Sequence, residues 1–429
     1  MMYLLVSIFF VIQQKGKHSL TKLFFWFTIF STIAAYMVGR LPLLSFKEGF
    51  YSIYIIALLS LLFLSFRNYT DLRGFNFQDI DSRRLKTFET VSIILGILVL
   101  LVYTYILSKI FTLLLMQEIT VQEHKNEGGA ADTWATMVPH IFITLGNFLS
   151  PLGYFYLFLH FYYLLKRRVS KSVLYLVLSL CIVLNGLIAL SRSATVMYVM
   201  LYASILYVVL PLLSKKTKRG LLIAASIVFI GIFSALVTIS NSRFSEFFRK
   251  DSRNVAIIDE NKQPILFSTL DYFGQWQEVG PMLMDRYNWG DLSWGTFNSS
   301  AIILQADVVI RGAKVVNEER SKKYDRLIGD LRSSFYGLIG ALIWDFGILG
   351  TPFFIIFLCY LNKRLSPRNK ILTTKSLMML LSILPVAVVF WAGNNLNNLV
   401  LNMSMVYLFF IYKFLTTPVK IRRVRQLQQ

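Results

Sequence analysis

Long blocks of apolar residues, separated by short charged connectors, recur along this 429-residue chain and constrain its fold more than any other feature. Many blocks are about as long as a helix that crosses the hydrocarbon core of a bilayer. They are also continuously apolar, whereas the strands of a membrane barrel alternate between apolar and polar residues. The mean hydropathy of +0.58 agrees with this pattern. We therefore predict an all-α, polytopic integral membrane protein.

The apolar blocks predict eleven transmembrane helices, with one large hydrophilic segment before the third-last helix. The first block is short and no basic residue precedes it, so a cleaved signal peptide is not expected. The chain then divides into N-terminal membrane helices (1–240), a large loop (241–335) and C-terminal membrane helices with a basic tail (336–429). The predicted spans are 2–13, 23–39, 50–66, 90–116, 138–165, 173–190, 194–213, 221–240, 336–360, 376–391 and 399–415.

The basic residues of the connectors predict the orientation. One alternating set of connectors holds 26 lysines and arginines, whereas the short connectors between them hold four. Because positive charge concentrates on the cytoplasmic side, we predict an outside N-terminus, a cytoplasmic C-terminus and an external loop. The net charge of +21 is then explained by contact with anionic membrane lipids, and no nucleic-acid partner is predicted.

The segment 241–335 is the only long hydrophilic run. It contains 13 acidic and 13 basic residues, so its net charge is zero, and its apolar residues occur in clusters. This composition is typical of a folded, partly amphipathic excursion and not of a disordered linker. We expect an active site that faces water to lie mostly in this segment or beneath it.

Charged residues are rare within the predicted spans. Apart from Lys413, which is counted with the basic connectors, Asp345 is the only acid there and Lys109 the only base. A charge at such depth is costly, so Asp345 is predicted either to belong to a site or to bond a neighbouring helix or unwound backbone near Gly347 and Gly350. Lys109 lies near the outer end of an overlong span and is expected to extend its ammonium group to the interface.

Two further features lie at the outer boundary. Arg192 sits between two serines in a tight hairpin, where it is placed either to bind an anion in an outward-facing cavity or to anchor a lipid headgroup. The span 138–165 is interrupted by Gly146, Asn147, Ser150, Pro151 and Gly153, which frees backbone groups that protein or a wet cavity must satisfy. His140, at the start of this span, is expected to be a boundary residue, with catalysis as the alternative.

Cysteine and histidine chemistry is not predicted. Cys181 and Cys359 both lie in apolar blocks, so no disulfide is implied. The four histidines are scattered and have no nearby cysteine partners, so no metal site is predicted.

The large loop contains two informative runs. Residues 270–280 mix carboxylates with aromatic side chains that are able to stack on sugars. Residues 320–336 lead basic side chains into the span that carries Asp345, and Arg332 lies where the chain re-enters the membrane. A solvated charged helix, with Arg326 and Asp330 on one face, is the alternative interpretation of this second run.

These features together resemble the Wzy-type polysaccharide polymerases, which join oligosaccharide repeat units of O-antigen, capsule and exopolysaccharide. The resemblance is architectural over the whole chain. It involves motifs only around 270–280, 191–193 and 336–350, including the run Asp-Phe-Gly-Ile-Leu-Gly at 345–350.

The resemblance implies a GT-C-like glycosyltransferase of the bacterial cytoplasmic membrane that needs no metal or other cofactor. The implied substrate is an undecaprenyl-pyrophosphate-linked oligosaccharide, and a chain-length regulator is an implied partner. Members of this family bind the pyrophosphate with external arginines, sometimes in an Arg-x10-Gly pattern, which Arg326 and Gly337 match. By this resemblance we assign pyrophosphate binding to Arg192, Arg326 and Arg332.

Sugar transfer also requires a base and surfaces that bind sugars. A carboxylate commonly accepts the proton of the acceptor hydroxyl, and Glu278 or Asp271 is placed to do so. We include Asp345 in the catalytic set as a residue that orients the site from below. The aromatic residues expected to stack on sugars are Tyr272, Trp276 and Tyr336.

Two other functions remain alternatives. An O-antigen ligase shares the fold and donor, but such ligases usually depend on a histidine in the large external loop, and 241–335 contains none. The other alternative is a transporter or a lipid-linked sugar flippase. Flippases generally line a central cavity with many charges, whereas this chain has a single predicted embedded acid and a large external loop. The polymerase is therefore the preferred prediction.

Overall fold

The computed structural model is an all-α membrane protein with one very small β-sheet among the residues it describes. These residues are 2–40, 46–115, 140–188, 192–221, 257–258, 263–287, 292–293, 301–327, 336–392 and 399–417. In the first half of the chain the helices are α1 (Met2–Gln13), α2 (Leu20–Met37), α3 (Phe46–Ser65), α4 (Ser82–Leu115), α5 (His140–Leu149), α6 (Leu152–Leu165), α7 (Val169–Ser179), α8 (Cys181–Ile188) and α9 (Arg192–Val209).

Helices also form the described parts of the large loop and of the C-terminal region. The loop contains α10 (Pro264–Gly274), α11 (Trp276–Arg286), α12 (Ala301–Arg311) and α13 (Ala313–Leu327). The C-terminal region contains α14 (Gly337–Leu365), α15 (Thr374–Val388) and α16 (Leu399–Thr416). Two short strands, β1 (Gly74–Asn76) and β2 (Ile371–Thr373), pair in parallel.

Six of the described helical segments are long and apolar enough to cross a membrane. They are Leu20–Met37, Gly49–Tyr69, Ser82–Ile110, Val169–Ile188, Ala194–Leu212 and Gly337–Leu365. Four shorter apolar helices, Met2–Gln13, Leu152–Leu165, Thr374–Val388 and Val400–Thr416, coincide with other predicted spans. The membrane class is thereby confirmed, while the predicted span 221–240 lies almost entirely outside the described residues.

Helix α6 lies at the centre of the helix bundle, because every one of its 14 residues is buried. The break predicted in the span 138–165 is confirmed, since α5 ends at Leu149 and α6 begins at Leu152. Proline at position 151 supplies no backbone N–H, which favours a break at this point. The side chain of Cys181 and the carbonyl of Ser150 meet at this break, at 3.7 Å.

The basic connectors meet at one end of the helix bundle. The backbone N–H of His18 donates to Asp71, and that of Arg73 donates to the carbonyl of Lys370 at 2.9 Å. The backbone N–H of Asp81 reaches the carbonyl of Leu415, at 3.0 Å, at the end of α16. These contacts join the connectors after α1, α3 and α14 to the end of α16, as expected if all four lie on one side of a membrane.

The described helices of the large loop pack against the opposite end of the bundle. The hydroxyl of Ser31 in α2 donates to the carbonyl of Phe273 at 2.7 Å, and the ring of Trp276 in α11 contacts Tyr3. The backbone N–H of Leu338 donates to the carbonyl of Phe390, at 2.7 Å, at the end of α15. The loop is therefore an integral layer of the protein where it is described, and it brings polar side chains onto the membrane helices.

One expectation about embedded charge is wrong. Helix α4 begins at Ser82, earlier than the predicted span, and it buries Glu89. The Glu89 carboxylate accepts hydrogen bonds from Tyr163 and, at 3.0 Å, from Lys171. Asp345 is therefore not the only acid buried in a membrane helix. Glu89 lies near the basic connectors, where Lys171 neutralises it.

Candidate functional site

Helix α14 is broken at Gly347, and the break separates two different half-helices. Gly347 has φ +70° and ψ 176°, a conformation that only glycine adopts without strain. All nine residues of Gly337–Asp345 are buried. Beyond the break, Leu349 and Phe353 are exposed on the surface that would face lipid. Broken membrane helices are common at binding sites because they free backbone groups for other partners.

Three different groups satisfy the carbonyls around this break. The backbone N–H of Ser293 donates to the carbonyl of Asp345 at 3.2 Å, and the hydroxyl of Thr351 donates to that of Gly347 at 2.7 Å. The hydroxyl of Tyr54, in α3, donates to the carbonyl of Ile348. The conformation of the break is therefore fixed from the large loop, from α14 itself and from a neighbouring membrane helix.

Helix α13 brings two cations to the break. Val316 is buried, Arg320 and Lys323 are half-buried, and Leu327 follows four residues later. This spacing of four, three and four residues places all four positions on one helical face. The ammonium group of Lys323 donates to the hydroxyl of Ser293, the residue whose backbone binds Asp345. The face of α13 that lies against the protein thus carries two positive charges where apolar residues are usual.

The electrostatics of this cluster centre on Asp345, whose side chain is 0% exposed. Burial lowers the pKa of Lys323 to about 8, against the opposing effect of the negative charge of Asp345. Burial likewise lowers the pKa of Arg320, while the negative charge of Asp345 acts to raise it. One acid thus faces two cations, so the formal charge of these three residues is +1. We call Asp345, Arg320 and Lys323 the break cluster.

A second charged cluster joins α2 to the loop helices. The Arg40 guanidinium donates to both oxygens of Asp271, at 2.6 and 3.0 Å, and to Glu278 at 2.9 Å. The arginine side chain is only 11% exposed. Burial acts to lower its pKa, but the hydrogen bonds and charges of Asp271 and Glu278 raise it above the ordinary value. We call these three residues the latch.

Close packing beside the latch fixes the corner between α10 and α11. The amide of Gln277 donates to the hydroxyl of Thr32 at 2.8 Å. A Cβ on Gly274 would lie 2.6 Å from the backbone of Ala35, so any larger residue would separate the two helices. From this corner α11 runs beside the buried half of α14, with Leu283 near Gly340 and Tyr287 near Gly347. The latch and the break cluster therefore lie near opposite ends of α11.

This arrangement changes the expected roles of two carboxylates. Both oxygens of Asp271 and one oxygen of Glu278 accept hydrogen bonds from Arg40. To deliver its proton to Asp271, a sugar hydroxyl would have to displace the guanidinium group. We therefore assign Asp271 and Glu278 to the latch. Asp345 is the remaining predicted carboxylate, and its charge acts on Arg320 and Lys323.

The three aromatic candidates lie in different environments. Trp276 is 1% exposed, its indole N–H donates to Ser31 at 2.6 Å, and its ring packs against Phe390. Its ring is enclosed by protein, so we do not retain it as a sugar-binding residue. Tyr272 is half-buried, with its ring centroid 4.9 Å from that of Trp391. Tyr336 is half-buried at the start of α14, beside the break cluster.

The three arginines predicted to bind pyrophosphate are only partly described. Arg192 is the first residue of α9, but its side chain lies outside the described part of the structure. Arg326 is exposed near the end of α13, and Arg332 lies outside the described residues. The assignment of pyrophosphate binding to Arg192, Arg326 and Arg332 therefore stays a prediction. The side chain of His140 is also outside the described part, and Lys109 is exposed on α4.

Arg40, Arg320 and Lys323 were not singled out from the sequence. A signal for two of them exists in the spacing of 316, 320, 323 and 327, which places Arg320 and Lys323 within an apolar stripe of α13. Arg40 has no comparable local signal. Its two partners are 231 and 238 residues away along the chain, so only the folded structure brings them together.

No family model matches this chain, and comparison with curated proteins and with solved structures finds no similar protein. The resemblance to the Wzy-type polymerases therefore depends on the architecture and on the short motifs alone.

Proposed function

We propose that this protein is a metal-independent glycosyltransferase that joins oligosaccharide repeat units carried on a polyprenyl diphosphate. The observation that carries the proposal is the break cluster. Lys323 of an extramembrane helix donates to Ser293, whose backbone N–H donates to the carbonyl of Asp345 in the broken membrane helix, and Arg320 lies on the same helical face as Lys323. A lipid-linked diphosphate requires a site of this kind, with cations close to the membrane and an apolar surface beside them.

Arg320 and Lys323 bind the diphosphate in this proposal. An arginine fork suits two phosphate oxygens, and a lysine adds a compact positive charge. Negative charge builds on the leaving diphosphate as the anomeric carbon–oxygen bond breaks, and these two cations stabilise that charge without a metal. Three further arginines attract the substrate in this proposal. Arg326 lies at the exposed end of the same helix, and Arg192 and Arg332 are assigned to pyrophosphate binding from the sequence.

Asp345 serves as the base. The acceptor hydroxyl attacks the anomeric carbon of the donor, its proton passes to the Asp345 carboxylate, and the polyprenyl diphosphate leaves. The new glycosidic bond therefore replaces the bond to phosphate. Tyr336 and Tyr272 are the aromatic residues that we retain for contact with sugars.

The orientation and finer architecture belong to the same proposal. In this proposal the protein has about eleven spans in a GT-C-like arrangement and lies in the bacterial cytoplasmic membrane. The break cluster is then at the outer face of that membrane. The gathering of basic connectors at the other end of the bundle supports this orientation.

The test is the surface glycan made in the native host by variants of α13. We expect Arg320→Ala and Lys323→Ala to abolish long polymer and to leave single repeat units on the acceptor. Lys322→Ala is the matched control, because Lys322 lies on the same helix but is exposed. Its glycan should run as a normal ladder.

Other patterns of surface glycan in these variants would contradict the proposal. A bare acceptor would indicate a ligase, and lipid-linked units that accumulate in the cytoplasm would indicate a flippase. Normal ladders in both the Arg320 and the Lys323 variants would remove the break cluster from the reaction.

A further inference from the structure

A tyrosine at the helix break has no partner for its hydroxyl. Tyr287 directly follows α11, and its hydroxyl oxygen is buried without a hydrogen-bond partner. The same oxygen lies 3.1 Å from the position that a Cβ on Gly347 would occupy. Glycine at this position therefore provides the space in which the hydroxyl sits.

The backbone around the break does not satisfy this hydroxyl. The carbonyls of residues 345, 347 and 348 are bound by Ser293, Thr351 and Tyr54, respectively. An unmade hydrogen bond at a buried hydroxyl costs about 1–3 kcal/mol. A ligand that enters the break cluster would supply the missing partner.

The surroundings indicate what kind of ligand this is. Leu292 lies beside Tyr287 at Gly347, and the next residue, Ser293, accepts a hydrogen bond from Lys323. Burial and the negative charge of Asp345 raise the pKa of Tyr287, so its hydroxyl keeps its proton and is able to donate. A protonated donor next to a lysine and an arginine fits an oxyanion better than a cation.

We propose that the hydroxyl of Tyr287 donates a hydrogen bond to a phosphate oxygen of the diphosphate held by Arg320 and Lys323. This inference rests on the proposed function, and it adds α11 to the elements that contact the substrate. The latch fixes the first turn of α11 against the end of α2. Tyr287 directly follows the last residue of α11, and its position at the break therefore depends on how α11 is anchored.

Tyr287→Phe tests the inference, because it removes only the hydroxyl. The matched control is Tyr54→Phe, since the Tyr54 hydroxyl lies at the same break but donates to the carbonyl of Ile348. The purified full-length variants are melted in detergent, with and without undecaprenyl diphosphate, and the Kd for this lipid is measured. Without lipid, we expect the Tm of Tyr287→Phe to equal or exceed that of the wild type, and the Tm of Tyr54→Phe to fall.

With lipid, the Tyr287→Phe variant should bind undecaprenyl diphosphate about tenfold more weakly than the wild type, as expected for loss of one hydrogen bond to a charged group. Wild-type affinity in Tyr287→Phe, or a loss of Tm without lipid as large as in Tyr54→Phe, would overturn the role of Tyr287 alone. Failure of the wild type itself to bind undecaprenyl diphosphate would overturn the proposed function as well.

Discussion

Lys323 is charged at a position where a charged amine is costly. Burial lowers the pKa of its ammonium group to about 8, and the nearby charge of Asp345 offsets only part of that effect. A lysine that serves only for solubility would lie on the outer face of α13, as Lys322 does. The position of Lys323 is easier to understand if a bound anion completes the neutralisation of its charge.

The pH dependence of diphosphate binding follows from this pKa. Below pH 8 Lys323 is protonated and attracts the anion, and as the pH rises through about 8 it loses its proton and its attraction. We expect the affinity for inorganic pyrophosphate to fall between pH 7.5 and about 9 in the wild type and to stay nearly constant in Lys323→Arg, because arginine keeps its charge. Isothermal titration at several pH values measures this. An equal fall in both proteins would contradict the role of Lys323.

The latch makes a separate prediction about stability. Arg40→Ala leaves Asp271 and Glu278 close together without their cation, which should lower the free energy of unfolding by about 3 kcal/mol. Adding Asp271→Asn and Glu278→Gln to Arg40→Ala removes the uncompensated charges and should recover part of the loss. Thermal melts of the single and triple variants in detergent measure this. A triple variant less stable than Arg40→Ala would show that the ion pairs are not what stabilises this corner.

At the scale of elements, α14 shows which parts of the site the sequence predicts. The single acid and the two glycines at 345, 347 and 350 predict that Asp345 either belongs to a site or bonds a neighbouring helix or unwound backbone. The structure shows the helix broken at Gly347, while the role of the Asp345 side chain stays a prediction. The partners of the break come from α3, α11 and α13, which are distant in sequence. Local patterns predict helices and their breaks, but they do not reveal which face of α13 or which end of α11 reaches the break.

Gly347 tests the importance of the break itself. Gly347→Ala forces a Cβ into a backbone conformation reserved for glycine and places it 3.1 Å from the Tyr287 hydroxyl. We expect a loss of about 1–3 kcal/mol in stability and a severe loss of polymer. Gly49→Ala in α3 is the control, because a Cβ there meets nothing within 4 Å, and it should leave both quantities at or above wild type. Normal polymer in Gly347→Ala would mean that the break has no part in the reaction.

At the scale of the whole molecule, the charge pattern of the connectors predicts which ones lie together. Contacts such as Arg73 with Lys370 and Asp81 with Leu415 unite the predicted cytoplasmic connectors at one end. The sequence does not predict the inward packing of the loop, because its zero net charge and its clusters of apolar residues are also compatible with a separate domain. Its docking depends on long-range contacts such as Ser31 with Phe273.

Single cysteines test the orientation. In a background without Cys181 and Cys359, Lys314→Cys and Lys322→Cys on α13 should react with a membrane-impermeant maleimide in intact cells. Arg83→Cys and Lys363→Cys, at the basic end, should react only after the cells are opened. All four positions are exposed, so differences in labelling report the side of the membrane. The opposite labelling pattern would place the break cluster in the cytoplasm and exclude the proposed reaction.

The most direct test of the central claim is a cryo-electron microscopy structure of the protein with undecaprenyl diphosphate bound. We predict density for the two phosphates within hydrogen-bond distance of Arg320 and Lys323, next to the break at Gly347, with the polyprenyl chain leaving toward the lipid-facing half of α14. Phosphate density among the basic connectors at the other end of the bundle, with the break cluster empty, would contradict the account.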